Sequence, residues 1–202
     1  NKLWRTRLNI PTKCNLIKED SIVEEESDSI VEEESDYEKY VKAQISKLDD
    51  PKHNKNIMRD DKQKIEAYLY NRFHEYGQNK LIVFKNRHVV CVGARRGGEV
   101  RALRRVGALA IGVDLNPGEY NPHVLLGDAH SIGFSPGSVD ILYSNVLDHI
   151  LDLKQFFEQV ADQLASDGLF LIDLSKKAPD KYAVQDFRDG GKARTIRLLE
   201  KD

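Results

Sequence analysis

A glycine-containing turn and an acid about 20 residues beyond it are the parts of this sequence best suited to holding a ligand. The turn is Gly93-Ala94-Arg95-Arg96-Gly97-Gly98, and the acid is Asp114. Glycines allow a tight turn without a Cβ in the ligand's way, and a helix that begins just after the turn points free N–H groups at the ligand. A carboxylate at this spacing can accept hydrogen bonds from both hydroxyls of a ribose. The spacing therefore predicts a site for an adenosine-type ligand.

The segments around the turn have the pattern of a strand, a helix and a second strand. His88–Val92 and Leu109–Val113 are short apolar runs typical of buried strands. Between them, Val100, Leu103 and Val106 recur at helical spacing. Together they predict the first half of a nucleotide-binding βαβ unit, whose ligand lies at the carboxyl ends of the strands.

Three further apolar runs extend the predicted sheet. A short run precedes Gly127-Asp128-Ala129. A fourth strand covers Val139 to Ser144 and is followed by Asn145, and a fifth covers Leu169 to Asp173. These polar residues should gather at the same edge of the sheet as Asp114, because the carboxyl ends of parallel strands share an edge.

Three helices are predicted outside the βαβ unit. Tyr37–Leu48 and Lys62–Tyr76 have apolar residues at helical spacing, with a break at Asp49-Asp50-Pro51 between them. A third helix begins at Asp152, which has Gln155 three positions later as in a capping box, and ends at Ser166-Asp167-Gly168.

Residues 88 to 175 resemble the class I (Rossmann-like) methyltransferases that use S-adenosylmethionine (SAM), in particular the methyltransferase type 11 group. The resemblance rests on the glycine turn, Asp114, Gly127-Asp128, and the run Asn145-Val146-Leu147-Asp148-His149, which is similar to the N-x-L-D-H of a subgroup whose turn reads GAR-x-G. It implies a three-layer α/β fold with a mainly parallel sheet and N-terminal cap helices. Only about 30 residues follow Asp173, so the C-terminal end would be shortened, either to a hairpin or to a truncated helix.

The resemblance implies a SAM site at the ends of the first four strands. Asp114 would grip the ribose and Asp128 the adenine, while the Arg95 guanidinium could pair with the methionine carboxylate. The alternatives are that Arg95 projects into solvent and that Asp128 is a turn or helix-capping residue. The cofactor-binding residues predicted in this way are Gly93, Ala94, Arg95, Gly97, Asp114, Leu115, Asp128, Ala129 and Asn145.

Asp148 and His149 are the predicted catalytic residues, since they follow the fourth strand at the ligand-binding edge. His149 could act as general base on an acceptor hydroxyl or amine, and Asp148 could orient it. Alternatively, Asp148 caps the next helix and His149 packs over the cofactor, because methyl transfer needs positioning more than acid–base help. The cap helices add possible acceptor-site residues, which are Tyr37, Tyr40, Tyr68 and His74.

Length and composition predict one globular domain with an appendage. The 202 residues carry a net charge of −2, which gives no general argument for nucleic acid or a membrane as partner. We expect an arm with an acidic repeat over 1–36, cap helices over 37–80 and a Rossmann-like SAM-binding domain over 81–202. The repeat is SIVEEESD, present twice. Ser21, Ser29 and Ser35 each have Glu three positions on, so the segment could be a phosphorylation or partner-docking tract, or else a charged linker or exposed helix.

Other features limit the setting. No apolar run approaches the roughly 18 residues that a membrane span needs, and no set of metal ligands is predicted. The two cysteines give no disulfide framework, and Cys91 lies in a predicted core strand, which favours a reduced, cytoplasmic location.

The function predicted is SAM-dependent methyl transfer to an acceptor that the sequence does not identify. A non-catalytic scaffold is the first alternative, because Cys91 stands where many members of the family have an acid and Arg95 replaces a glycine. A nicotinamide-dependent oxidoreductase is the second, although Arg95 would obstruct the pyrophosphate at the middle glycine of G-x-G-x-x-G. Neither the acceptor nor the oligomeric state follows from the sequence.

Overall fold

A six-stranded sheet organises the computed structural model, which describes residues 34–47, 54–55, 65–174 and 183–184 and the backbone of 195–200. Its strands are β1 (His88–Val92), β2 (Leu109–Asp114), β3 (Val124–Leu126), β4 (Val139–Ser144), β5 (Leu164–Leu174) and β6 (Thr195–Glu200). They lie in the order β3-β2-β1-β4-β5-β6. The first five are parallel, and β6 runs antiparallel to β5.

Four helices flank the sheet in the described ranges. They are α1 (Asp36–Ser46), α2 (Glu66–Gln78), α3 (Gly98–Arg105) and α4 (Leu153–Gln163), with a short 3-10 helix at Leu147–His149. The helices predicted over Tyr37–Leu48 and Lys62–Tyr76 are α1 and α2, and Leu48 and residues 62–64 lie outside the described residues. The start of α4 is as predicted, because the Asp152 carboxylate accepts the Gln155 N–H at 2.9 Å.

Side chains along each strand point alternately to the two faces of the sheet, so the core consists of two hydrophobic clusters, one on each face. On β1, Val89 and Cys91 pack on one face of the sheet with apolar side chains of α2 and α3. Val90 and Val92 pack on the other face with apolar side chains of α4. Sheet and helices thus form three layers, and the predicted α/β fold is confirmed.

The fifth strand starts earlier than predicted. A helix-ending turn was expected at Ser166-Asp167-Gly168, with the strand beginning at Leu169, but α4 ends at Gln163 and β5 begins directly at Leu164. Leu164 pairs with the first residue of β4, and the ladder resumes at Leu169 after a register shift. The three residues of the expected turn therefore lie within a bulge of the strand.

At the C-terminus, β6 agrees with one arm of the predicted hairpin, Arg194 to Leu199. Most of the other arm, Tyr182 to Arg188, lies outside the described residues, as do the first 33 residues with most of the acidic repeat, and the break at Asp49-Asp50-Pro51. Where the chain is described, its helices lack the combined length and apolarity needed to cross a bilayer.

Candidate functional site

A cavity of about 640 Å³, partly open to solvent, lies at the carboxyl ends of β1, β2 and β4. This central cavity is bounded below by the sheet and the glycine turn, and above by α1. This figure counts all the empty space of the cleft, including the part that is open to solvent. The lining residues are Tyr40, Gln44, Lys47, Val92, Gly93, Arg95, Val113, Asp114, Leu115, Asn116, Gly127, Ala129, Val146, His149 and Ile150.

The glycine turn forms the floor of the cavity at the end of β1. Gly93 has φ +76°, and a Cβ on it would lie 2.2 Å from Cγ2 of Val146, so no larger residue fits there. Gly97, with φ +84°, caps the start of α3. The turn thus leaves bare backbone at the cavity, as the sequence predicted.

Arg95 also adopts a left-handed backbone, with φ +44°, which is unfavourable for a residue with a side chain. Its N–H donates to Asp114 Oδ2 at 2.8 Å, and that contact holds the turn against β2. Arg95 lines the cavity, whereas Arg96 does not, and the Arg96 guanidinium donates to the Pro117 carbonyl at 3.1 Å.

Asp114 closes β2 and presents a fixed carboxylate to the cavity. Its Oδ2 accepts the Arg95 N–H, and its Oδ1 accepts the Asn116 N–H, each at 2.8 Å. A carboxylate has about four acceptor positions, so each oxygen keeps capacity for a further donor from a ligand. The two backbone contacts orient the group before any ligand binds.

Asn145, at the end of β4, turns away from the cavity toward the start of α3. Its side-chain amide donates to Oε1 of Glu99 at 3.1 Å, and Glu99 is buried in the first turn of that helix. A buried acid is favoured there by the helix dipole. The contact fixes the loop after β4 to α3, so Asn145 holds the cavity wall in place and does not itself line the cavity.

Asp128, just after β3, does not line the cavity, and three donors surround its carboxylate. Oδ1 accepts the backbone N–H and the Nδ1–H of His130, each at 2.8 Å, and Oδ2 accepts the Tyr37 hydroxyl. Burial alone would raise the pKa of Asp128, but the hydrogen bonds from His130 outweigh it and leave the pKa lowered. The carboxylate is therefore ionised at neutral pH.

Helix α1 lies across the cavity from β3 to β4. Its 11 residues span about 16 Å along the helix axis. The distance from β3 to β4 across the sheet is similar, roughly 14 Å, because three strand spacings separate them. Near its start, Tyr40 is buried above Asp114, and burial together with that nearby charge raises the pKa of Tyr40 to about 12. The Ile45 carbonyl accepts the Asn116 side-chain amide at 3.1 Å.

The end of α1 meets the loop after β4. Lys47 Nζ lies 3.2 Å from Nδ1 of His149, and Nε2 of the same ring lies 3.8 Å from Asp148 Oδ2. An ammonium has only donors, so Nδ1 accepts and the ring proton lies on Nε2, facing Asp148. His149 lines the cavity, whereas Asp148 stands behind it.

The structure brings together about half of the predicted site. Among the residues expected to bind the cofactor, those that line the cavity are Gly93, Arg95, Asp114, Leu115 and Ala129, and those that do not are Ala94, Gly97, Asp128 and Asn145. Of the possible acceptor-site residues, Tyr40 lines the cavity and Tyr37 contacts Asp128, while Tyr68 and His74 lie on α2 away from it. Gln44, Lys47 and His130 had no predicted role.

Cys91 faces away from the cavity. It is fully buried on the α2 and α3 side of β1, and this burial, with the nearby Glu99 charge second, raises the pKa of its thiol well above the usual value. The thiol is thus an uncharged packing group in this protein.

The sequence of residues 90–172 matches the model of a family described as "Methyltransferase domain". No curated protein matches the sequence. Because the glycine turn, Asp114 and strands β2 to β4 all lie inside the matched segment, the match covers the elements that form the cavity floor.

Several solved structures have a similar fold. A candidate SAM-dependent methyltransferase of Methanococcus maripaludis is 19% identical over 62% of this chain and 64% of its own, with a TM-score of 0.49. A SAM-dependent methyltransferase of Mesorhizobium loti is 20% identical over 48% and 51%, with a TM-score of 0.43. Phosphoethanolamine N-methyltransferase 2 of Haemonchus contortus, solved with S-adenosylhomocysteine, is 19% identical over 64% and 35%, with a TM-score of 0.46.

This chain therefore spans less than two thirds of the length of each of these three proteins. Their TM-scores lie below 0.5. The likeness of this chain to methyltransferases lies in the matched segment, which contains the glycine turn. Residues 90–172 are therefore similar to a methyltransferase domain, and they lie within the Rossmann-like α/β fold described above.

Proposed function

We propose that this protein binds SAM in the central cavity and transfers its methyl group to an acceptor. The observation that carries the proposal is the position of the cavity, at the carboxyl ends of parallel strands between a glycine turn and a fixed acid, inside a methyltransferase domain. When bound, SAM supplies an electrophilic methyl group, which an acceptor lone pair takes by in-line displacement.

The residues of the cavity fit an adenosine-type ligand. Asp114 offers acceptor capacity on both oxygens for ribose hydroxyls, and Leu115 and Ala129 provide an apolar edge beside it. The bare backbone at Gly93 suits the methionine part, and the Arg95 guanidinium suits its carboxylate. We leave Asp128 out of the ligand set, because it does not line the cavity.

His149 and Asp148 form the proposed catalytic pair. The lone pair of the ring is on Nδ1, at the nitrogen that Lys47 contacts, so Nδ1 is the atom that would accept a proton from an acceptor hydroxyl or amine. Asp148, 3.8 Å from Nε2, would stabilise the imidazolium that results. Lys47 must leave Nδ1 for this transfer, which makes its departure part of acceptor binding.

Residues of α1 would exclude water from the site. Tyr40 and Gln44 line the side of the cavity opposite the sheet, and Tyr40 is buried. Methyl transfer from a sulfonium is favoured where few water molecules can solvate the reacting groups, so a helix across the cavity serves the reaction.

The test is calorimetric titration of the protein with SAM and S-adenosylhomocysteine, with NAD as the control ligand. We expect binding of the first two and none of NAD. Asp114→Asn should weaken S-adenosylhomocysteine binding about tenfold or more, because a hydrogen bond to a charged group is typically worth about 1.5–3 kcal/mol. Asp167→Asn is the matched control, since Asp167 has a 70% exposed side chain on the distant start of β5.

Each outcome separates the candidate functions. Binding of both ligands that Asp114→Asn weakens and Asp167→Asn preserves supports the proposal and justifies a screen for acceptors. Binding of NAD alone would favour the oxidoreductase. If none of the three ligands binds, the protein is a non-catalytic scaffold with this fold.

A further inference from the structure

Among the described residues, helix α1 meets the rest of the fold largely through polar contacts that are directed. Only Tyr40 is buried among its residues. At its end, the Ile45 carbonyl accepts from Asn116 and Lys47 contacts His149. An element with little buried apolar surface opens locally more easily than one packed into the core. The position of α1 must therefore depend on its polar contacts.

At the start of α1, Tyr37 reaches Asp128. Its hydroxyl donates to Oδ2, while Oδ1 is occupied by two donors from His130. The carboxylate is charged and its side chain is 18% exposed, so a hydrogen bond to it is stronger than one between neutral groups in water. This contact links α1 to the loop after β3, nearly 100 residues along the chain.

His130 fixes the Asp128 carboxylate, which accepts the Tyr37 hydroxyl. Its side chain is 3% exposed, its Nε2 accepts the Asp152 N–H at 3.1 Å, and its carbonyl accepts the Gln155 side-chain amide at 3.1 Å. Because Nε2 is an acceptor, the ring proton must lie on Nδ1, which donates to Asp128. The rings of Tyr37 and Tyr40 pack edge-on against it, with centroids 5.8 and 5.7 Å away.

We propose that Tyr37, Asp128 and His130 form a clasp that holds α1 closed over the central cavity and so retains the ligand there. In this reading Asp128 does not contact the ligand, and Tyr37 is a positioning residue that acts through α1. Docked α1 covers the cavity without sealing it, because the cavity stays partly open to solvent. The retention of SAM rests on the proposed function, whereas the closure of α1 does not.

The test variant is Tyr37→Phe, which removes the hydroxyl and keeps the ring against His130. In the ligand-free protein, amide hydrogen exchange of Asp36–Ser46 should rise by about threefold to thirtyfold, while β1 and β4 exchange as before. The dissociation rate of S-adenosylhomocysteine, measured by stopped flow, should rise by a similar factor with little change in the association rate. Tyr120→Phe is the matched control, because Tyr120 is 98% exposed and lies outside the clasp.

A double-mutant cycle decides whether the contact itself is responsible. Asp128→Asn alone should also speed the exchange of α1, and adding Tyr37→Phe to it should have less effect than in the wild type. Unchanged α1 exchange in Tyr37→Phe, or full additivity with Asp128→Asn, overturns the clasp. If the wild type binds no S-adenosylhomocysteine, the proposed function fails, and the exchange of α1 still decides whether the clasp exists.

Discussion

Helices α1 and α2 have similar sequence patterns but opposite roles in the structure. Both precede the sheet, and both have apolar residues at helical spacing. On α2, Leu69 and Phe73 are almost completely buried in the core with β1 and α3. On α1, only Tyr40 is buried, and the helix is attached through side chains that reach the ends of the strands.

The difference shows that helical periodicity predicts a helix but not what the helix covers. The apolar stripe of α2 lies on the sheet, where contact is continuous and nondirectional. The inward residues at α1 are phenols, an amide and an ammonium, which can contact the polar groups at the ends of the strands. One helix therefore contributes to the stability of the fold, and the other contributes to the site. The predictions below test this division.

The largest effect is expected at Phe73. Its ring is fully buried and contacts Phe84 and Tyr143, with centroids 5.2 and 5.5 Å away. Phe73→Ala should lower the free energy of unfolding by about 3–5 kcal/mol, because it removes buried apolar surface and leaves a cavity. Urea denaturation followed by circular dichroism measures this loss.

The matched change on α1 is Ile45→Ala, at a side chain that is 38% exposed. It should lower the free energy of unfolding by no more than about 0.5 kcal/mol, as is usual for surface substitutions. Equal losses for the two variants would contradict the division, since α1 would then be part of the core.

A smaller effect is expected from the phenol of Tyr40 at high pH. Burial first, and the Asp114 charge second, raise its pKa to about 12, whereas a tyrosine of the unfolded chain ionises near 10. Below pH 10 the group is protonated in both states and stability is complete. As the pH rises from about 10 to about 12, the unfolded state loses a proton that the folded state keeps, and the free energy of unfolding falls by on the order of 2–3 kcal/mol.

Tyr40→Phe should remove this part of the alkaline loss, which chemical denaturation at pH 9 and pH 11.5 can measure. Tyr120→Phe, at an exposed side chain, should leave the loss unchanged. If Tyr40→Phe keeps the full alkaline loss, the phenol is not buried above Asp114 and α1 is not docked as described. No comparable dependence on pH is expected from Leu69 and Phe73, because they carry no titratable group.

The strands of the sheet could be predicted closely because their signals are local. The first, second and fourth strands begin where predicted, since each is a continuous apolar run bounded by turn residues. The start of β5 could not be predicted, because the bulge there is set by pairing with β4 rather than by the local residues, which have the composition of a turn.

The glycine turn and Asp114 at the floor of the cavity could also be predicted from local signals. The position of α1 on the opposite side could not. Gly93 and Asp114 belong to one βαβ unit, whose spacing alone relates them. Lys47 and His149 are about 100 residues apart, and no spacing rule links a helix to a loop that it meets only in the folded protein. Asp128 shows a third case. The motif predicts a ligand contact for it, and no spacing rule predicts the contacts with Tyr37 and His130 that it makes in the structure.

The smallest effect is expected at Ser35. Because Glu38 lies three residues further on, Ser35 was interpreted above as a phosphorylation site or as part of a charged linker or exposed helix. In the structure the pair is a capping box at the start of α1. The Glu38 N–H donates to Ser35 Oγ at 3.2 Å, and the Ser35 N–H donates to Glu38 Oε2 at 2.8 Å. The bond from the Ser35 N–H is the main reason that the pKa of Glu38 is lowered.

Ser35→Ala should weaken α1 by about 1 kcal/mol, the usual cost of losing such a cap, and so raise the amide exchange of that helix roughly fivefold. The free energy of global unfolding should fall by at most the same amount, far less than for Phe73→Ala. Ser35→Asp is the control, because aspartate also caps a helix and its charge suits the N-terminal dipole. If Ser35→Asp instead frees α1 as much as Ser35→Ala does, repulsion from Glu38 outweighs capping, and a phosphate at Ser35 would open the helix over the cavity.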